Sequence, residues 1–163
     1  VSGVCRAIAA RMGLSKDDVS QITTAGLVHD IGKIGIDERI LNRSGKLAPA
    51  EWEEMKKHPE TGWRILSSID EFSILAEFVY EHHERWNGGG YPRGLKGEEI
   101  ALEARIIAVA DAYDAMTRDR TYRKTVTREE AAAELERCAG TQFDPAVVDV
   151  FVRQVLADAE ALM

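Results

Sequence analysis

Apolar residues recur along most of the chain at the spacing of an α-helix. In the first segment Val1, Val4, Cys5, Ile8 and Met12 follow one another at steps of three, one, three and four residues. This spacing places them on one face of an amphipathic helix. No segment shows the period of two that is typical of a half-buried strand. The pattern therefore predicts an all-α fold, a bundle of about seven helices.

Most of the predicted helices begin at residues that suit a helix N-terminus. Ser15 with Asp18 has the spacing of a capping box, and so has Thr127 with Glu130. A proline suits the first turn of a helix, and one lies at positions 49, 59 and 145. Two further helices are predicted over residues 73–86 and 103–117. The stretches 34–48 and 87–98, which contain several glycines, are predicted as irregular connections.

Length and composition narrow the classes of function. A chain of 163 residues is predicted to form a single domain, residues 1–163. The net charge of −7 argues against DNA as a partner, because nonspecific nucleic-acid binding depends on Lys and Arg. Two cysteines, Cys5 and Cys138, do not make a disulfide framework, so a reducing and therefore cytoplasmic location is expected. No apolar run approaches the roughly 18 residues of a spanning helix.

The chain has only four histidines, and two of them are adjacent. His82 and His83 are followed by three glycines, Gly88–Gly90, and then by Tyr91 and Pro92. Neutral imidazole is the commonest metal ligand in proteins, and successive glycines allow positive φ angles and a close approach to a ligand. The alternative is a histidine pair on a helix surface followed by an ordinary turn.

Three other segments carry candidate ligands. His29 and Asp30 end a predicted helix that should be buried on most sides, and Asp111 lies in a strongly apolar helix. An unpartnered buried carboxylate is very costly, which favours a metal at these positions. His58 precedes Pro59 and is predicted to be extended, at a joint between two helices. Taken singly, His29 could be a hydrogen-bonded core residue, His58 a capping or surface residue, and Asp111 an exposed helical carboxylate.

The candidate ligands together indicate a centre of two ions. Imidazoles with carboxylates, and no candidate thiolate, suit iron, manganese, cobalt, nickel or zinc rather than calcium or magnesium. Two ions can activate a water and stabilise the leaving oxygen of a phosphate ester. A basic group could bind the phosphate oxygens: it comprises Lys33, Arg120, Arg123 and Lys124. These parts favour a phosphodiesterase.

With these residues in view, the sequence closely resembles the HD-GYP family, a branch of the HD superfamily of metal-dependent phosphohydrolases. Residues 27–35, which contain His29-Asp30, resemble the HD motif, and residues 41–47 and 55–59 resemble the middle section of the family. Residues 82–92 match the His-His-Glu…Gly-Tyr-Pro signature, and residues 105–123 match a later block. The resemblance covers nearly the whole chain and implies an HD-domain-like bundle with a glycine-rich GYP loop.

The resemblance also implies an activity and roles for single residues. The activity is hydrolysis of cyclic di-GMP to linear pGpG and/or GMP in bacterial second-messenger signalling. His29, Asp30 and Asp111 would bind one of two divalent ions, with iron or manganese expected. Asp30 would bridge to a second ion held by His58, His82 and His83, and a hydroxide between the ions would be the nucleophile. Lys33 would contact the scissile phosphate, Arg120 and Arg123 would hold the phosphates, and Tyr91 would line the pocket.

Partners and alternatives complete the expectations. The resemblance places Val1 inside the first helix of the family, so the chain is expected to be a fragment with a further ligand histidine upstream. A receiver or sensory domain is expected to precede it, and GGDEF-type cyclases are possible protein partners.

Asn87 stands where the signature often has Asp. The alternatives are a non-catalytic module that binds the dinucleotide or a protein, and an HD phosphohydrolase for another nucleotide.

Overall fold

The computed structural model describes residues 1–119 and 124–158, and within them the fold is helical. Nine α-helices lie in these ranges: α1 Ser2–Arg11, α2 Lys16–Val28, α3 Glu38–Leu41, α4 Pro49–Met55, α5 His58–Ser67, α6 Ser73–Glu81, α7 Leu102–Thr117, α8 Arg128–Arg137 and α9 Pro145–Val150. Their only β pairings are isolated bridges. The all-α prediction is thus confirmed, with more helices than the seven or so expected.

Three local predictions were wrong. The four-residue helix α3 lies inside the stretch expected to be irregular, and Asp37 caps it by accepting a hydrogen bond from the Arg39 N–H at 2.8 Å. Helix α6 ends at Glu81 rather than at residue 86, because the Glu84 N–H bonds the Glu81 carbonyl and closes a turn. His58 is helical rather than extended, as the first residue of α5. Short-range interactions, which single-residue preferences do not include, decided each case.

The predicted helix starts are confirmed by their caps. The Ser15 hydroxyl accepts a hydrogen bond from the Asp18 N–H, and Thr127 and Glu130 form a reciprocal capping box. Asp144 caps α9 and also forms a buried ion pair with Arg105 of α7 at 2.7 Å. These contacts fix the ends of the helices that surround the central α7.

One main core joins the first and last helices to α6 and α7. Its fully buried side chains include Ile8, Ile22, Ile106, Leu135 and Phe151. A second, smaller core lies between α5 and α6 and includes Leu66, Ala76 and Val79. Helix α6 therefore packs in both cores, and its C-terminal end carries the histidine pair.

The end of α2 is less buried than its apolar residues predicted. Gly26 packs so closely on α1 that an added Cβ would lie 2.9 Å from the Cys5 sulfur. Leu27, one residue further around the helix, points outward and is 73% exposed. Successive helical residues diverge by about 100°, so the close contact at Gly26 leaves its neighbour in solvent. Among the described helices, none combines the length and apolar character required to cross a bilayer.

Candidate metal centre

Six side chains from four parts of the chain meet at one end of the bundle. His29 is the C-cap of α2, and Asp30 follows it at the start of a 3-10 turn, Ile31–Gly35. His58 opens α5, and His82 and His83 leave the end of α6. Asp111 extends from the middle of α7. The structure therefore brings together every candidate ligand named from the sequence.

The six side chains form two overlapping groups of potential ligands. In one, Asp30, His58, His82 and His83 each offer an atom within 4.8 Å of the others. In the second, His29, His82 and Asp111 do so. The resemblance assigned His82 to one ion only, whereas the geometry places it in both groups.

Asp30 lies between the two groups and turns one oxygen toward each. Its Oδ2 is 3.2 Å from the Nε2 of His29, which in turn lies 3.3 Å from Oδ1 of Asp111. Its Oδ1 is 3.4 Å from the Nε2 of His58 and 3.8 Å from that of His82. A carboxylate in this position can bind an ion through each oxygen, which is the bridging geometry expected for Asp30.

Backbone carbonyls hold three of the imidazoles in one orientation. The Nδ1 atoms of His29, His58 and His82 lie 2.6–2.7 Å from the carbonyl oxygens three residues earlier, those of Gly26, Met55 and Val79. A carbonyl can only accept, so each Nδ1 carries a proton, and the Nε2 of each ring is the atom turned toward the centre. Metal-binding histidines are commonly held in this way.

Two further features fit a cation at the centre. The Nε2 of His82 is completely buried and has no hydrogen-bond partner within the described part of the chain. Buried polar atoms are almost always satisfied, so an unpartnered one calls for an unseen ligand. The Nε2 atoms of His58 and His83 also lie only 3.1 Å apart. The residues present therefore fit a bound metal ion.

The electrostatics keep Asp30, His82 and His83 in the forms that metals require. Burial, with the neighbouring histidines, lowers the pKa of His82 well below its usual value and that of His83 to about 3. Burial opposes ionisation of Asp30, but the hydrogen bond from His29 and the positive charges of His29 and Lys33 outweigh it and lower the Asp30 pKa. The carboxylate is thus ionised, and His82 and His83 are neutral at physiological pH.

A glycine in the 3-10 turn allows the two halves of the centre to meet. A Cβ built on Gly32 would lie 1.8 Å from the carbonyl oxygen of His58 and 2.6 Å from the backbone nitrogen of Gly62. No side chain fits in that space, so the turn that follows Asp30 packs directly on the first turns of α5. This contact brings His58 to the Asp30 carboxylate.

Two buried glutamates shape the loop that follows the histidine pair. Glu84 accepts hydrogen bonds from the backbone N–H groups of Arg93 at 2.7 Å and Leu95 at 3.0 Å. Glu81 accepts one from Ala101 at 2.7 Å. The sequence analysis assigned neither a role. The sequence pattern that pointed to Asp30 also applies to them, because each is a carboxylate beside the end of an apolar helix.

The three glycines, Gly88–Gly90, do not all adopt the positive φ angles that the sequence predicted. Only Gly88 of the three has positive φ, at 85°. Gly90 instead packs on its own chain, where an added Cβ would lie 2.4 Å from the Arg85 nitrogen and 2.5 Å from the His83 carbonyl oxygen. The loop thus folds back onto the histidine segment. Asn87 stabilises its start, with Oδ1 accepting from the Gly89 N–H at 2.9 Å.

The expected substrate-binding residues are placed as follows. The Lys33 ammonium lies 3.2 Å from Oδ2 of Asp30 and is partly exposed. The Tyr91 ring stacks on His83, with centroids 5.1 Å apart and planes at 18°. A cavity of about 140 Å³ borders His82, His83 and Asp111 on another side. Arg120 and Arg123 lie outside the described residues.

Comparison with known proteins finds relatives of this chain among curated phosphodiesterases. The chain is 47% identical over 148 residues to a "Cyclic di-GMP phosphodiesterase" of Thermotoga maritima, covering 90% of this chain and 40% of the relative. It is 42% identical to the "Cyclic di-GMP phosphodiesterase response regulator RpfG" of Xanthomonas campestris, covering 94% and 41%. The chain thus spans about two fifths of the length of these curated relatives.

A solved structure and a family model identify the fold. The crystal structure titled as a cyclic GMP-AMP specific phosphodiesterase of V. cholerae, V-cGAP3, superposes with a TM-score of 0.76 at 21% identity. The match covers 99% of this chain and 44% of that one. A family model described as "HD domain" matches residues 1–147. The chain therefore belongs to the HD-domain family, as a member with the HD-GYP signature.

Proposed function

We propose that this chain is the catalytic domain of a cyclic di-GMP phosphodiesterase that yields linear pGpG and/or GMP in bacterial second-messenger signalling. The observation that carries the proposal is the buried, unpartnered Nε2 of His82, which lies in a group with Asp30, His58 and His83. Such a group is suited to a metal-assisted reaction rather than to structural packing. The names of the relatives supply the substrate class.

The ligand chemistry favours two divalent transition ions, with iron or manganese first. The candidate ligands are four imidazoles and two carboxylates. The described thiols are elsewhere: Cys5 is buried in the main core, and burial raises its pKa to about 12. Mixed nitrogen and oxygen ligands are typical of such ions. When bound, two ions would lower the pKa of a water and stabilise the leaving oxygen.

The protein residues divide the remaining work. Asp30 would hold both sides of the centre, with His29 and Asp111 on one side and the other histidines on the second. Lys33, 3.2 Å from Asp30, would place its ammonium beside the scissile phosphate. Arg120 and Arg123 would bind the phosphate oxygens bidentately. Tyr91, stacked on His83, would line the entrance.

The reaction itself is a hydrolysis. A water oxygen forms a new bond to phosphorus, the bond from phosphorus to the 3′ oxygen breaks, and the 3′ oxygen leaves with a proton. One cleavage opens the ring to pGpG, and a second would give GMP.

Because this messenger is a cytoplasmic nucleotide, we infer a cytoplasmic site of action, with GGDEF-type cyclases and an upstream receiver or sensory domain as partners.

The test compares metal-loaded and metal-free protein. The protein is purified without chelators, its metal content is measured by elemental analysis, and cyclic di-GMP is assayed by chromatography of the products. We expect pGpG or GMP from the loaded protein, loss of turnover after chelation, and recovery with manganese or ferrous iron. Binding of the dinucleotide without turnover at full metal content would contradict the proposal and support the non-catalytic alternative.

A further inference from the structure

A second cavity lies beside Trp52, whose indole contacts the Tyr91 ring. Its volume is about 780 Å³, within the usual range of about 300–1,000 Å³ for small-molecule sites. Its lining combines two cations with apolar groups and one indole: Arg43, Lys46, Leu47, Ala48, Pro49 and Trp52. None of these residues has a part in the proposed hydrolysis.

Aromatic contacts connect this cavity to the centre. The Tyr91 ring stacks on His83 at 5.1 Å, and its edge meets Trp52 at 6.1 Å with planes at 87°. Lys56 places its ammonium 5.7 Å from the same Tyr91 ring. Two ring-to-ring steps therefore separate the ligand histidine from the indole.

Trp52 is unusually exposed for so large an aromatic side chain. It is 45% accessible although it lies on α4, between the cavity and the GYP loop. Bases stack on exposed aromatic rings in many nucleic-acid-binding proteins, and every base presents a face for such stacking. The indole therefore offers a stacking surface two aromatic contacts away from the candidate ligand His83.

The cations of the cavity favour one kind of base. The Arg43 guanidinium donates through one terminal nitrogen to Glu51, whose second oxygen accepts from the Ala48 N–H at 2.9 Å. Glu51 thereby connects Arg43 to the start of α4. Arginine has five N–H donors and binds the O6 and N7 acceptors of guanine, whereas adenine presents an amino donor in place of O6.

We propose that this cavity is a base subsite that binds one guanine of the cyclic dinucleotide, stacked on Trp52 and hydrogen-bonded by Arg43. The inference rests on the proposed function, since it places the phosphate of the same nucleotide at the metal centre. It assigns specificity for guanine to the loop and helix over residues 43–52, a segment that contributes no candidate metal ligand.

Binding of GMP tests the subsite without any need for turnover. Tryptophan fluorescence of the metal-loaded protein is titrated with GMP, and with AMP as a control of similar absorbance. We expect saturable quenching by GMP that is lost in Trp52→Phe and kept in Trp63→Phe, whose indole instead bonds Glu77. Arg43→Gln should reduce the preference for GMP over AMP. Equal quenching in Trp52→Phe, or no quenching by GMP in the wild type, would overturn the subsite.

A kinetic comparison separates this inference from the proposed function. For Trp52→Ala, the ratio of kcat/KM for cyclic di-GMP to that for bis(p-nitrophenyl) phosphate, which has no purine, should fall roughly 5- to 150-fold. An unchanged ratio in an active enzyme would refute the proposed guanine subsite but would not affect the phosphodiesterase assignment. Quenching through Trp52 in a protein that hydrolyses neither diester would refute the assignment and retain the guanine subsite.

Discussion

The Nε2 atoms of His58 and His83 lie 3.1 Å apart, with their rings nearly perpendicular at 88°. His58 already carries its proton on Nδ1, which bonds the Met55 carbonyl. In the metal-free protein this pair can form an N–H to N hydrogen bond only if His83 is protonated on Nε2. An ion held by both residues would need both lone pairs, so its binding would move the His83 proton to the other ring nitrogen or to water.

The bridging position of Asp30 gives the sharpest mutational prediction. Asp30→Asn removes the charge and one ligand oxygen, so one half of the centre loses a ligand and the other keeps only a neutral amide oxygen. Even the outer partners of metal ligands contribute roughly 10- to 100-fold to affinity or activity. We therefore expect turnover to fall by at least about 100-fold, and fewer metal ions to be bound per chain. Elemental analysis and product chromatography measure the two effects.

The matched control is Asp17→Asn, which changes an exposed carboxylate in the first turn of α2. It should leave metal content and turnover near those of the wild type. Retention of full activity by Asp30→Asn would show that the carboxylate between the two groups does not bridge ions.

Glu84 is expected to act through the GYP loop. In Glu84→Gln the new amide group faces a backbone N–H, so one of the Arg93 and Leu95 donors loses its acceptor. We expect a loss of about 1–3 kcal/mol in the free energy of unfolding, and metal affinity roughly 10-fold lower as His83 loses its support. Urea unfolding and competition with a coloured chelator give the two values. The control is Glu98→Gln, which changes an exposed carboxylate in the 3-10 turn Gly97–Glu99. Equal unfolding free energies and metal affinities in the two variants would contradict the proposed role of Glu84.

Gly32 is predicted to be a packing requirement of the metal centre. In Gly32→Ala the added methyl overlaps the His58 carbonyl, so α5 must move away from Asp30. Overpacking of this kind costs about 1–3 kcal/mol or more in unfolding free energy, and metal content should fall with it. Gly3→Ala, also on a helix but with nothing within 4 Å of the new methyl, should leave stability unchanged or slightly higher. Similar urea midpoints for the two variants would refute the prediction.

Metal binding should release a proton from His29. Burial disfavours its charge, but hydrogen bonds to Asp111 and Asp30 outweigh burial and raise its pKa to about 10. Because the folded-state pKa lies above the usual value of 6.5, His29 is protonated below pH 10 in the metal-free protein. An ion must displace that proton, so apparent affinity should rise with pH between 6.5 and 8, by up to roughly tenfold per pH unit.

Calorimetry of manganese binding in buffers of different ionisation enthalpy counts the released protons. In His29→Gln the count should fall by about one, and the dependence of affinity on pH should weaken. An affinity that is independent of pH in the wild type would mean that His29 is already neutral or does not bind the ion.

The sequence by itself determined the helical fold and the identity of the candidate ligands. The apolar spacing, the capping residues at Ser15 and Thr127, and the small number of histidines all act over a few residues, so they can be read along the chain. The same holds for the order of motifs that placed the chain in its family. Errors in local structure arose where contacts over one turn decide the outcome, as at His58 and at the end of α6.

Tertiary structure decided how the ligands are shared and what supports them. The membership of His82 in both groups and the contact of Trp52 with Tyr91 depend on distances between residues far apart in the chain. The hydrogen bonds to Glu84 depend on a loop that returns to it. Those distances follow from how closely α5 packs at Gly32 and how the loop folds back at Gly90. Sequence spacing carries no information on such approaches, because they are set by side-chain volume across helix contacts.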